Sequence, residues 1–235
     1  MAGLEKIIFL LYRLPELRRE EFHQRYLAEH VPLVLEHCPS LRRYVVDLVD
    51  SPFGEASRPE TDITAFDAAV ELWFDSMDDF ADKSRMYDSP ESYAAAKEQT
   101  ASFVSAVAGY HVSETVQRDY DRDWPDGARS TGVKMIMPLR RADGLSKEQF
   151  ADHWLRVHAP LALEHVPGIW RYVTNVVIEP VSPDAPEIDG IVEVHRRSEA
   201  DLKLPAGQII IDDTKKLLLP PSRNKVSEYV MISGR

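Results

Sequence analysis

The sequence has a single cysteine, Cys38, which excludes an internal disulfide and any cysteine-built zinc site. Basic side chains are scarce beside acidic ones, 28 Lys and Arg against 39 Asp and Glu, for a net charge of −11. That balance argues against nucleic acid and anionic membrane surfaces as partners, because both call for clustered cations. Long apolar runs are missing as well. The N-terminal run Ile7–Tyr12 is too short for a secretory segment or a membrane span, so the expected location is the cytoplasm. There is no G-x-G-x-x-G, P-loop, G-x-S-x-G or H-E-x-x-H, which removes nucleotide-dependent, serine-hydrolase and zincin chemistry as first readings. The composition, 44% apolar and 29% charged, is that of an ordinary globular protein.

What the sequence does have is itself twice. Phe22–Tyr44 (FHQRYLAEHVPLVLEHCPSLRRY) returns 128 positions later as Phe150–Tyr172 (FADHWLRVHAPLALEHVPGIWRY). Aligned without a gap, Lys6–Val46 and Lys134–Thr174 share 18 of 41 residues. The repeat is far longer than a solenoid unit, so it signals two copies of one small domain. The expected division is a first repeat over residues 1–120, a linker over 121–131 and a second repeat over 132–235.

Within the repeated stretch, Phe22, Tyr26, His30 and Leu33 fall on one face of a helix. Pro32 removes a backbone donor and predicts a kink beside His30; Pro160 does the same beside His158. On this phase Leu33 and Leu161 are expected in the core. The preceding strand, Glu5–Arg13, is apolar on both faces, with Ile7, Phe9 and Leu11 on one and Ile8, Leu10 and Tyr12 on the other. Helices of one copy can cover only one face, so the second copy is expected to cover the other.

Taken in order, each copy reads βαββαβ, the split motif of ferredoxin-like domains. In the first copy the elements are a strand, a kinked helix over Arg19–His37, strands over Leu41–Asp50 and Ala69–Phe74, a helical region from Ser76 to about Ala108, and a strand over Tyr110–Gln117. Ser51–Asp67 reads as a loop. The second copy has a strand over Val133–Arg140, a helix over Ser146–His165 and a strand over Ile169–Glu179. Val192-Glu193-Val194 aligns with Val70-Glu71-Leu72, and a last strand covers Lys225–Ile232. Its second helical region is shorter, with Ile209–Leu219 the surviving piece.

The pattern of an apolar strand, then F-x-x-x-[YW]-x-x-x-H-x-P-L, then P-x-[LI]-x-R-Y-V, resembles the EthD family of the dimeric α+β barrel superfamily. The resemblance occurs twice. It implies an α+β fold in which two ferredoxin-like βαββαβ repeats pack their antiparallel sheets face to face as an intrachain dimeric α+β barrel. It also implies a helix-borne polar residue in a pocket between helix and sheet. Related barrels carry lyase, decarboxylase, cyclase, isomerase and oxygenase chemistry, and some bind haem through a histidine; the expectation for this chain is a cofactor-independent enzyme acting on a small hydrophobic, aromatic or polyketide-like compound.

His30 and His158 are the candidate catalytic residues, each able to act as general acid or base near neutral pH. The bland alternative is that each ring satisfies a carbonyl freed by the proline. Tyr26 and Trp154, one turn back, are candidate ligand-binding residues, as are Tyr12 and Trp73 in the first copy and His195, which aligns with Trp73, in the second. Arg43 and Arg171 open strands and are read first as partners of the mid-strand Glu71, Glu114, Glu193 and Glu228, second as anchors for a substrate anion. Tyr44 and Tyr172 read as core. His37 and His165 read as helix C-terminal cations. No metal site is expected, and no cofactor, with haem as the alternative the resemblance supplies. Catalysis, haem binding and a non-catalytic ligand-binding module all stay open, as does association into a homodimer.

Overall fold

In the computed structural model, which describes residues 3–52 and 66–234, the two copies form one closed barrel. The expected loop over Ser51–Asp67 lies largely outside the described residues. The strands are β1 (Glu5–Arg13), β2 (Arg43–Pro52), β3 (Ala68–Phe74), β4 (Val104–Arg118), β5 (Val133–Leu139), β6 (Ile169–Pro180), β7 (Gly190–Arg196) and β8 (Asn224–Ile232). Their order round the barrel is β1-β3-β2-β8-β5-β7-β6-β4, all antiparallel. Each repeat thus contributes a four-stranded ferredoxin-like sheet. Pairing of β2 with β8 and of β4 with β6 closes the seams and leaves no free edge.

Alternation along each strand divides the side chains between two environments. Ile8, Leu10, Ala69, Ala108, Tyr110, Ile136 and Ile191 point inward and fill the barrel. Ile7, Leu11, Tyr44, Val70 and Leu72 point outward under the helices of the first repeat. Met135, Tyr172, Val192 and Val194 do so in the second. The doubly apolar first strand is explained by this arrangement.

The kinked helix spans the expected Arg19–His37, but it bends through a π turn. Helix α1 (Arg19–Arg25) runs into the π turn Tyr26–His30 and then α2 (Val31–His37). The π turn accommodates the missing proline donor by inserting one residue into the helical repeat. That insertion advances the phase. Val34, not Leu33, is buried, and Leu33 is only half-buried. The second copy repeats the geometry with α6 (Lys147–His153), the π turn Trp154–His158 and α7 (Ala159–His165), burying Ala162 where Leu161 was expected. Ser146 caps α6 in a reciprocal capping box with Gln149.

The covering segments differ between repeats. The first is covered by α3 (Met77–Ala81), α4 (Lys83–Met86) and α5 (Pro90–Ala101). The alanine-rich run to Ala108, expected to be helical, leaves the helix at Ala101, and Val104–Ala108 is strand. Pairing with β1 overrides the helix propensity of alanine there. The second repeat is covered by α8 (Gln208–Leu217) with one short 3₁₀ turn at Asp201–Lys203, the truncation expected from its length. Among the described residues no helix is long and apolar enough to cross a membrane.

Candidate functional site

Each repeat holds a cavity between its helices and its sheet, and the π turn places a histidine in the wall of each. In the first, Tyr26, His30, Tyr44 and Phe80 line a cavity of about 580 Å³. In the second, Trp154, His158, Tyr172 and Ile210 line one of about 390 Å³. Both volumes fall within the range of small-molecule sites.

The histidines have different partners. His30 Nδ1 lies 3.1 Å from Gln99 Oε1 on α5. An amide oxygen only accepts, so Nδ1 carries the proton and Nε2 is the basic nitrogen. Burial lowers the His30 pKa, against the raising effect of Gln99. His158 Nδ1 lies 2.8 Å from Asp213 Oδ2 on α8. Burial lowers the His158 pKa too, opposed by both the hydrogen bond and the charge of Asp213. The other carboxylate oxygen of Asp213 accepts from His153 Nε2 at 2.8 Å. Burial pushes the Asp213 pKa up, but the two imidazole donors outweigh it and hold the group below the usual carboxylate range. His153 and His158 are five residues apart, a spacing that only a π turn brings onto one face. In both copies Nδ1 is taken by a side chain of the covering helix, and among the described residues no hydrogen bond from either ring to a freed helix carbonyl is seen.

The aromatic residues one turn back each hydrogen-bond a tyrosine hydroxyl. Tyr26 and Tyr44 share a hydrogen bond of 3.2 Å between their hydroxyls. Burial raises both phenols far above their ordinary range. In the second repeat Trp154 Nε1 donates to the Tyr172 hydroxyl at 3.4 Å. That leaves the Tyr172 proton free to be donated elsewhere, and burial pushes its pKa up to about 12. Trp154 fits because Gly190 lies beneath it: a Cβ on Gly190 would collide with the indole ring.

The remaining expected site residues are on the other side of the sheets. Tyr12 and Trp73 do not converge with Tyr26, because strand alternation turns them into the barrel, Tyr12 against the interior core and Trp73 against Val45 and Val230. His195 is likewise inside the barrel, 3.7 Å from Glu228, and not beneath the short covering segment. Burial lowers its pKa to about 3. Arg43 stacks over Trp73 at 4.4 Å. Arg171 pairs with Asp119 at 3.0 Å and with Glu193 at 3.5 Å.

These residues belong to a buried charge cluster at one end of the barrel. The mid-strand carboxylates were expected to pair with the arginines; their closest partners are instead two lysines. Lys6 Nζ contacts Glu71 (2.5 Å), Glu114 (2.8 Å) and Glu193 (2.9 Å). Lys134 Nζ contacts Asp47 (2.9 Å), Glu71 (2.8 Å), Glu193 (3.0 Å) and Glu228 (2.8 Å). Two carboxylate trios, Asp47/Glu71/Glu228 and Glu71/Glu114/Glu193, have the spacing of metal ligands. Lys134 and Lys6 project their ammonium groups into them, where a metal ion would otherwise sit. Burial holds Asp47 well above the carboxylate range, more than Lys134 lowers it. Glu71, Glu114, Glu193 and Glu228 share this layer with Lys6, Lys134, Arg43 and Arg171. Such a layer is a structural filling, costly to break and of modest net stabilisation.

Sequence reasoning missed Gln99, His153, Asp213 and the lysine pair. The lysines had a signal: both copies open with Lys at the same place in an otherwise apolar strand, on the face shared with Ile8 and Ile136. Asp213 had none, being 55 positions from its partner on a helix the two copies do not share.

The sequence matches the EthD domain over residues 14–106 and 142–203, more than half of the chain. No curated protein matches it. Among solved structures, an anthrone oxidase-like protein aligns with TM-score 0.61 at 10% identity, covering 97% of this chain and 93% of that one. A proposed monooxygenase from Lactobacillus acidophilus aligns with TM-score 0.52 at 12% identity, covering 99% and 98%. A proposed chlorite dismutase aligns with TM-score 0.50 at 11% identity, covering 96% and 95%. At these identities the likeness is one of fold.

Proposed function

The chain belongs to the EthD domain family, and on that premise we propose that it is an enzyme whose second-repeat cavity binds a small hydrophobic, aromatic or polyketide-like compound and removes a proton from it. The observation that carries this reading is the 2.8 Å hydrogen bond between His158 and Asp213 in the wall of an apolar cavity. The carboxylate fixes the tautomer with Nδ1 protonated, which makes Nε2 the base, and stabilises the imidazolium that forms. A ligand with a C–H beside a carbonyl loses that proton to His158 Nε2. Its electron pair moves onto the carbonyl oxygen, and the neutral Tyr172 hydroxyl donates to the enolate oxygen. Return of the proton elsewhere gives isomerisation; loss of a group gives a lyase. Oxidation, the chemistry named for two structural neighbours, would use dioxygen as the oxidant: it would add to the enolate carbon and take up the proton held by His158 to give a hydroperoxide, which would lose water to leave a new carbonyl. The chain is read as two tandem domains, residues 1–120 and 132–235, joined by 121–131.

A second reading rests on the same pair. A histidine whose far nitrogen donates to a carboxylate is arranged as a metal-ligating histidine is, and the donor chemistry fits haem iron. In that case His158 would hold the iron, Asp213 would raise the basicity of the ligating imidazole, and Arg196 and Arg223 on the same cavity wall would suit the propionates. Haem would supply redox chemistry there. A Soret band in purified, haem-supplemented protein, lost in His158→Ala, supports this version; its absence leaves the proton-transfer reading.

The test is paired substitution with a ligand found by thermal-shift screening. His158→Ala should lower the rate by about 10²–10⁴, as for loss of a general base, and His30→Ala should stay near wild type. Equal small losses in both, with lowered melting temperatures, would sink the proposal.

A further inference from the structure

The first-repeat cavity has a chemistry of its own, independent of the reading of His158. Its walls are aromatic: Phe9, Tyr26, Phe80, Tyr87 and Tyr93 all contribute. Phe9 packs on Phe80 at 5.9 Å and Tyr87 on Tyr93 at 5.3 Å between ring centroids. In a chain where acids outnumber bases, no Asp or Glu lines this cavity among the described residues, while Lys83 and Lys97 do.

Lys83 is half-buried on α4. Its Nζ donates to the Phe80 carbonyl at 2.6 Å and lies 3.6 Å from Met86 Sδ and 4.1 Å from the centroid of the Phe80 ring. An ammonium has three donors; one is well used here, one meets a weak thioether acceptor and one is left. No described carboxylate pairs with it, whereas the barrel lysines Lys6 and Lys134 are each ringed by acids. Burial lowers the Lys83 pKa, as expected for a desolvated cation short of counter-charge.

We propose that this cavity is a binding site for an aryl monocarboxylate, its ring between the aromatic walls and its carboxylate on Lys83. An anionic headgroup supplies the missing counter-charge, and the cavity has room for a fused two-ring body.

The probe is 2-naphthoate, compared with the uncharged 2-naphthamide by titration calorimetry on the full chain at neutral pH. Naphthoate should bind roughly 10- to 100-fold tighter, the ratio expected for a hydrogen bond to a charged group. Lys83→Met should abolish that preference, bringing naphthoate affinity down to that of naphthamide; Lys83→Arg should retain it. His158→Ala should leave naphthoate binding intact, which keeps this site separable from the second-repeat chemistry. Should Lys83→Met fail to fold, Lys83→Gln is read in its place. Equal affinity for the two probes, a preference that survives loss of the lysine, loss of binding in His158→Ala, or no saturable binding of naphthoate would each overturn the proposal.

Discussion

The first repeat gives its π-turn histidine an amide partner, and the second gives it a carboxylate. His30 and His158 stand at the same place in the repeat, on the same kind of turn, in cavities of similar construction. What separates them is the element laid over the sheet. Helix α5 delivers Gln99, a neutral acceptor that orients a ring and does little else. Helix α8 delivers Asp213, a charge that orients the ring and stabilises its protonated form. The larger of the two cavities carries instead a lysine among aromatic rings, with no carboxylate partner among the described residues. Duplication supplied one scaffold; divergence of the covering segment gave the histidine of each half a different partner.

The largest effect expected from a single change that tests this comparison is in the barrel. Lys134→Met leaves four buried carboxylates short of their shared cation and should cost about 3–5 kcal/mol in denaturant unfolding. Lys6→Met should cost less, because Glu114 is 18% exposed and water can solvate it. Asp47→Asn mimics the protonated acid and should change stability by under about 1 kcal/mol. An Asp47→Asn loss as large as that of Lys134→Met would show that the ion pair of Asp47 with Lys134 outweighs the effect of burial.

Next comes the carboxylate that distinguishes the two cavities. Asp213→Asn should slow turnover by roughly 10- to 100-fold, as loss of an orienting partner commonly does. It should also move the pH profile. A histidine base works when neutral, so activity rises with pH through its pKa. Asp213 raises that pKa, so its removal shifts the acid limb to lower pH. A limb that stays in place while the rate falls would mean that Asp213 holds the helix and not the proton.

The smallest effect tests the shared π turn. Val34→Ala should cost roughly 1.5–2 kcal/mol, from two buried methyl groups. Leu33→Ala, at the half-buried neighbouring position, should cost under about 1 kcal/mol although it removes more atoms. The reverse order in thermal unfolding would place the helix in regular α phase and remove the reason His153 and His158 share Asp213.

Much of the architecture was legible because duplication and alternation are local and redundant. β1 was read to the residue from two apolar faces that had to be covered on both sides, and the second copy checked each element of the first. The errors came where one residue of phase or one face of a strand mattered. A simple proline bend keeps Leu33 in the core; the residue that the π turn inserts puts Val34 there instead. For Tyr12, Trp73 and His195, sequence proximity and aromatic character do not say which face of a sheet a side chain occupies once both faces are buried.

By itself the sequence determined the repeat, the βαββαβ order in each copy, and the two histidines fixed beside a proline. Those follow from backbone chemistry and periodicity within a few turns of chain. The tertiary structure alone decided that each lysine fills the carboxylate trio of a barrel end, that Trp154 rests on Gly190, and that His158 meets Asp213 while His30 meets Gln99. Those contacts join strands and helices tens of residues apart, and no local pattern encodes them. Folding of each repeat brings the histidines to their partners, and closing the barrel brings each lysine to carboxylates of the other repeat.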